Sequence, residues 1–229
     1  MELLYNGFSL EIAEGAFPLS TDSMLLAAFA RLPKNARVLD LGAGCGTLGL
    51  LLCAADAGCR VTGLELEPAA HLCALDNIRR NGLESRMESV CGDLRDLSAL
   101  PPGSFQCCVS NPPYFSGGPA SQSTPIARRE DCCSPEGLFL AASRALRYGG
   151  DFFLVHRPER LAELIAAGAK HGLEAKRLQL VRHRTGGPIT LILLAFRKGG
   201  KPGLIIEEAS LFGESGSPTL YYRTVYHME

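Results

Sequence analysis

The chain has 229 residues and a mass of 24.5 kDa, with 46% apolar and 21% charged side chains, enough to bury a substantial core as one globular domain. Its 23 Lys and Arg against 24 Asp and Glu leave a formal net charge of -1, which excludes the strongly basic make-up of a protein that coats nucleic acid. Nine cysteines, all between Cys45 and Cys133 and none in a CxxC pair, argue for reduced thiols and against a disulfide framework or a metal site.

The start, Met1-Glu2-Leu3-Leu4-Tyr5, lacks the positive region and long apolar stretch of a secretory signal. No uncharged apolar run reaches the roughly 18 residues of a membrane span. The expectation is a cytoplasmic protein without a membrane partner. Residues 1–35 read as an N-terminal cap segment, 36–197 as a Rossmann-like core and 198–229 as a C-terminal tail, all within one domain.

Within the core, short β-branched or apolar runs alternate with segments of helical period, the pattern of an α/β fold with a mostly parallel sheet and helices on both faces. Seven strands are predicted: Arg37–Leu41, Arg60–Leu64, Met87–Cys91, Phe105–Ser110, Asp151–His156, Ala175–Val181 and Ile189–Phe196. Helices fit Thr47–Ala57, Ala69–Asn81, Pro135–Leu146 and Pro158–His171. Glycines 82, 149 and 172 follow three of these helices, and prolines open the last two, as helix ends prefer. Between the fourth strand and the third helix, residues 116–124 form a long loop rich in Gly, Ser and Pro, a length more often functional than idle.

Val38-Leu39-Asp40-Leu41-Gly42-Ala43-Gly44-Cys45-Gly46 is a strand entering a glycine turn and then a helix, the place where such sheets bind ligands. Gly42, Gly44 and Gly46 allow the turn its unusual angles and let the main chain approach a ligand. Gly44-Cys45-Gly46-Thr47-Leu48-Gly49 also satisfies GxGxxG, with Glu65 near the spacing of a ribose-binding acid, so a dinucleotide is one reading. Charge argues against it, because Asp40 would stand beside a dianionic pyrophosphate. S-adenosylmethionine carries an ammonium, a sulfonium and no phosphate, and suits three strand-end carboxylates. Asp40 would hold its amino-acid end, Glu65 its ribose hydroxyls, and Asp93, with Leu94 beside it, its adenine. Each acid could instead be a helix cap or a solvated loop residue. Cys45, inside the turn, reads as a small filler.

After the fourth strand comes Val109-Ser110-Asn111-Pro112-Pro113-Tyr114-Phe115. The paired prolines fix φ, remove two N–H donors and force the preceding residues into extended geometry. The Asn111 side-chain carbonyl and the Pro112 carbonyl can then both accept from one planar NH₂ group. Such an amine or amide is weakly nucleophilic. Two acceptors favour a pyramidal nitrogen and stabilise the positive charge it gains on attacking a methyl group, and in-line placement does the rest. Tyr114 offers a flat face for an unstacked base.

These residues resemble class I S-adenosylmethionine-dependent methyltransferases of amino nitrogens, and more closely the bacterial valine-tRNA adenine-N6-methyltransferase family. The resemblance covers nearly the whole chain. It rests also on Thr21-Asp22-Ser23-Met24-Leu25-Leu26, Ile126-Ala127-Arg128-Arg129-Glu130, His156-Arg157-Pro158-Glu159-Arg160-Leu161 and Lys198-Gly199-Gly200-Lys201-Pro202-Gly203-Leu204. It implies that Thr21 and Asp22 lie against the methionine end of the cofactor, with Asp22 compatible with a helix N-cap. It also implies methyl transfer to the exocyclic amine of an adenine in RNA, with tRNA the leading substrate. Arg128 and Arg129 could meet phosphates or pair with Glu130 and Asp131. His156 and Arg157 read as packing or capping residues.

Charge is divided along the chain. Residues 1–124 hold 8 basic and 13 acidic side chains, and residues 125–229 hold 15 and 11. Within Lys170–Lys201, eight basic residues face Glu174 alone, a candidate phosphate track for folded RNA or a solvated guard on a sheet edge. Competing functions are a protein glutamine-N5 methyltransferase, which needs a helical substrate domain ahead of the glycine turn, an rRNA guanine-N2 methyltransferase, and an idle cofactor-sensing or RNA-binding module, which the intact acids and Asn-Pro-Pro-Tyr motif oppose.

Overall fold

The computed structural model describes residues 2–96, 98, 100–112 and 134–228. A short antiparallel pair, β1 (Glu2–Leu3) and β2 (Ser9–Leu10), precedes α1 (Thr21–Phe29). The chain then alternates through β3 (Arg37–Leu41), α2 (Thr47–Ala55), β4 (Arg60–Glu65), α3 (Pro68–Arg80), β5 (Met87–Cys91) and β6 (Phe105–Ser110). Beyond residue 133 come α4 (Pro135–Ala145), β7 (Leu146–His156), a 3-10 turn at Pro158–Arg160, α5 (Leu161–Lys170), β8 (Leu173–Arg184), β9 (Ile189–Lys198), β10 (Ile205–Phe212) and α6 (Leu220–Val225).

One mostly parallel sheet runs in the order β10-β8-β9-β7-β6-β3-β4-β5, with β9 antiparallel to both neighbours. The alternating pattern thus predicts the α/β class and all seven core strands. It misses the eighth. β10 lies in the stretch expected as a tail, yet it pairs with β8 in parallel register, Ile205 opposite Arg177 and Ser210 opposite Arg182. Ile205-Ile206-Glu207-Glu208 has no apolar/polar alternation, because this strand is held partly by charge. Glu207 and Glu208 reach diagonally to Arg177 and Arg182, at 3.4 and 3.5 Å, within the reach of diagonal cross-strand pairs. β7 and β8 are longer than predicted, and Pro158–Arg160 forms a 3-10 turn ahead of α5.

Neighbouring residues on each central strand point to opposite faces, and both faces are covered. Val38, Cys107, Phe153 and Leu193 join α1, α2 and α3 in one core, which includes Leu25, Leu51 and Ile78. Leu39, Cys108, Phe152 and Leu194 join α4 and α5 in the other, around the edge-to-face pairs of Phe139 with Phe152 and Phe196. That is why these strands read as continuous apolar runs.

The N-terminal segment is tied to α3 by two asparagines that imitate strand partners. Asn81 bonds the N–H and C=O of Ser9, and the fully buried Asn77 bonds both groups of Glu11 and the Cys45 carbonyl. From this anchorage, residues 13–18 run along the carboxyl edge of the sheet beside the glycine turn.

Candidate active site

The parallel strands β3, β4, β5 and β6 all end at one edge, and the direction of connection reverses between β3 and β6. Open α/β sheets bind ligands in the crevice outside such a switch point. A cavity of 640 Å³ lies there, within the range of a cofactor-sized site.

The floor is the glycine turn. Gly42, Gly44 and Gly46 have φ of 77°, 56° and 86°, a region that favours glycine. The N–H groups of Gly42 and Ala43 donate to the Leu64 carbonyl at 2.9 and 3.0 Å. The turn also presses onto Gly63 of β4, where a Cβ would come within 2.8 Å of the Ala43 Cβ. Gly42 and Gly44 line the cavity. Gly46 does not, and instead forms the left-handed N-cap of α2.

Asp40, at the end of β3, lines the cavity although it is almost wholly buried. Neither carboxyl oxygen has a hydrogen-bond partner among the described residues. Burial, and secondarily the charge of Glu65, push its pKa up to about 8. A buried carboxyl without an internal partner is costly unless something else supplies one. Glu65 is better served: its carboxylate accepts from the Gly44 N–H at 2.7 Å and the Glu67 N–H at 2.8 Å, bracing the glycine turn from β4. Asp93, two residues past β5, is gripped by Arg95, whose backbone N–H and guanidinium both donate to it. Those bonds, the guanidinium's first, lower its pKa. Leu94 is buried beside it in the cavity wall.

Asn111 and Pro112 follow β6 and line the same cavity. The Asn111 amide Nδ2 donates to the Ser23 hydroxyl of α1 at 3.0 Å. Ser23 and Asp22 line the cavity too. Thr21 stands behind that wall, its hydroxyl accepting from the Tyr226 phenol at 2.9 Å. The N-cap of α1 is Ser20, not Asp22, since the Ser20 side chain accepts from the Ser23 N–H. Tyr114, Pro113, Arg128 and Arg129 lie outside the described residues.

Sequence reasoning missed the contribution of residues 13–18, including Phe17 at 65% exposure, which line the cavity opposite the strand ends. It also missed Ser23 as a contact of Asn111. His156 is buried at the end of β7, its Nδ1 accepting from the Arg157 N–H at 2.8 Å, the packing role expected of it. Burial, with the Arg160 charge second, lowers its pKa to about 4.

Among the described residues lining the cavity are Glu14, Asp22, Asp40, Glu65, Glu67 and Asp93, and no Lys or Arg. Among these lining residues a pyrophosphate would meet carboxyl groups and no cationic side chain. A cation with hydroxyls, such as S-adenosylmethionine, meets acceptors, and the orphaned Asp40 carboxyl is what its ammonium would satisfy.

The basic stretch from Lys170 to Lys201 does not make one track. β8 runs toward the cavity edge and β9 away from it, which carries Lys176, Arg197, Lys198 and Lys201 toward the opposite edge. Most are also engaged within the fold: Lys170 with Glu136, Arg197 with Asp151, and Lys198 with the carbonyls of Ser143 and Leu146. Arg177 lies over the Phe29 ring, 3.9 Å from its centre.

The model of the methyltransferase small domain family matches residues 19–165. The tRNA1(Val) (adenine(37)-N6)-methyltransferase of Bacteroides fragilis is 34% identical over 185 residues, covering 79% of this chain and 77% of that one. The enzyme of the same name from Photobacterium profundum is 29% identical over 203 residues, covering 86% and 85%. Among solved structures, a predicted O-methyltransferase from Agrobacterium tumefaciens superimposes with a TM-score of 0.76 over 91% of this chain and 96% of its own, at 23% identity. Geranyl diphosphate C-methyltransferase from Streptomyces coelicolor, at 13% identity, reaches 0.59 over 77% and 76%. With its carboxylate-lined crevice and its kinship to these enzymes, the chain belongs to the methyltransferase small domain family and is an S-adenosylmethionine-dependent methyltransferase.

Proposed function

We propose that the enzyme methylates the exocyclic amine of an adenine in RNA, with a tRNA as substrate, and that Asn111 and Pro112 hold that amine. The names of its relatives support the substrate class. The observation that supports the assignment of the residues is that Asn111 and Pro112 open onto the same cavity as Asp40.

S-adenosylmethionine, when bound, supplies an electrophilic methyl group on a sulfonium. Asp40 would meet the ammonium of its amino-acid end, Glu65 the ribose hydroxyls, and Asp93 with Leu94 the adenine side, while Asp22 would border the methionine end. The glycine turn lets the backbone come close. On the substrate side, the Oδ1 of Asn111 and the carbonyl of Pro112 accept from the two amine hydrogens, and both stand ready as the nitrogen gains charge. With the amine so held, its nitrogen would be free to take up the methyl group, and the surplus proton would leave to solvent. No base is needed before the new bond forms. Tyr114 would lie along the base.

Mass spectrometry of tRNA nucleosides tests the substrate: cells lacking this protein should lose an N6-methyladenosine that the wild-type gene restores, and an unchanged profile refutes the tRNA reading. The residues are tested by Asn111→Ala, which should bind S-adenosylmethionine within about twofold of wild type while turnover falls by about 100-fold or more, the size of one lost transition-state contact. Undiminished turnover would remove Asn111 from the reaction.

A further inference from the structure

We infer that Ser23 is a positioning residue for methyl transfer: by accepting from the Nδ2 of Asn111, it sets the amide so that Oδ1, and not the NH₂ group, faces the substrate amine. This rests on the reading of Asn111 given above.

An asparagine amide has two ends of nearly equal size and opposite hydrogen-bonding sense. Only one orientation can serve. With the carbonyl inward, Asn111 accepts from the substrate. Turned by 180°, it would present two donors to another donor and repel the amine it should hold. Neither rotamer sterics nor the paired prolines choose between the two, because both orientations occupy the same space. The choice falls to whatever the outer end of the amide meets.

That partner is the Ser23 hydroxyl, 3.0 Å from Nδ2 and 88 residues away in the chain. A hydroxyl can give or receive, so its own direction must be set in turn. Ser20 Oγ lies 3.3 Å from Ser23 Oγ and also caps the helix by accepting from the Ser23 N–H. With the Ser23 proton directed to Ser20, the Ser23 lone pairs face Asn111, and the relay reads Asn111 Nδ2 to Ser23 to Ser20. The scaffold is firm. Ser23 is buried at 6% exposure, its neighbours Leu25 and Leu26 are fully buried, and Tyr226 holds the first residue of the same helix through Thr21. Groups on a packed helix keep their place better than groups on a loop.

The test measures kcat, KM and cofactor affinity with transcribed valine tRNA and S-adenosylmethionine. Ser23→Ala should lower kcat about tenfold, the scale of one hydrogen bond, with cofactor affinity by calorimetry close to wild type. Ser23→Thr keeps the hydroxyl and should recover most of the rate. An Asn111→Asp background separates orientation from packing, because a carboxylate has no wrong end. There Ser23→Ala should cost less than about twofold.

Three results would overturn the inference: an equal loss of kcat in both backgrounds, a loss of cofactor affinity with kcat unchanged, or full turnover by Ser23→Ala. If Ser23→Ala does not fold, Ser20→Ala, which frees the Ser23 proton to turn, should give the same selective loss in the Asn111 background, and equal loss in both would again refute the relay. Loss of turnover in Asn111→Ala together with full turnover in Ser23→Ala removes this inference alone, whereas full turnover in Asn111→Ala removes the reading beneath it.

Discussion

Asp40 and Asp93 end neighbouring parts of the same crevice, yet they sit in opposite electrostatic states. Asp40 is buried without a hydrogen-bond partner among the described residues, and its pKa rises to about 8. Asp93 is more open, is forked by Arg95, and has its pKa lowered. Among the described residues the first has no hydrogen-bond partner, and a bound cation would supply one. The second already has one, so a ligand there must share with Arg95 or displace it. Residue type thus says little about the strength of a carboxylate as a ligand, while its existing partners say a great deal.

The largest effect should come from removing the unpartnered acid. Asp40→Asn should weaken S-adenosylmethionine binding by about 10- to 100-fold, as expected for losing a hydrogen bond to a charged group, and calorimetry would show it. Wild-type affinity on its own should strengthen by up to about tenfold per pH unit between about pH 6 and 7.5, because the neutral acid must ionise to pair with an ammonium. Proton release, read from calorimetry in two buffers of different ionisation enthalpy, would confirm the source. A flat pH profile would break the contrast between the two aspartates.

The same carboxyl governs stability with a definite sign. Its folded pKa, about 8, lies above the ordinary 3.8, so folding takes up a proton between those values. The stability of the neutral form is present below about pH 4 and is lost as pH rises toward 8. Asp40→Asn stays neutral throughout. Its melting temperature relative to wild type should therefore climb between pH 5 and pH 9, giving a variant that folds more stably as it binds more poorly.

Glu65→Gln should act on the Asp40 side of the comparison alone. It removes the charge that helps raise the Asp40 pKa and points an NH₂ group at one of two backbone N–H donors. A stability loss of about 1 to 3 kcal/mol follows from the unmet donor, measurable by denaturant titration. The smallest effect belongs to Arg95→Ala. The Arg95 and Asp93 side chains are 58% and 24% exposed, so the ion pair should contribute no more than about 1 kcal/mol to stability. Freed of it, Asp93 should bind the cofactor as well as before or slightly better. A large loss of affinity would mean that the guanidinium, and not the carboxylate, meets the ligand.

Local spacing made much of the site legible. Asp40, the three glycines of the turn and the helix after them lie within one short stretch, so a single strand-turn-helix reading places them together. Glu65, Asp93 and Asn111 each lie at or just past the end of a predicted strand, and parallel strands bring such ends to one edge whatever the detailed packing. What separated along the chain was not legible. β10 joins the sheet through Glu207 and Glu208, whose partners lie on β8, and charge pairing leaves no periodic trace. The basic stretch looked continuous until strand direction carried much of it away from the cavity.

By itself, then, the sequence determined the α/β class, the edge that bears the cavity and the acids placed there, because those follow from periodicity and from the ends of strands. Only the tertiary structure decided that Asp40 has no hydrogen-bond partner among the described residues while Asp93 has Arg95, that Asn77 and Asn81 anchor the segment opposite, and that Ser23 meets Asn111. Burial, protonation and the sense of a hydrogen bond depend on what stands across a gap in space, and distance along the chain does not encode it.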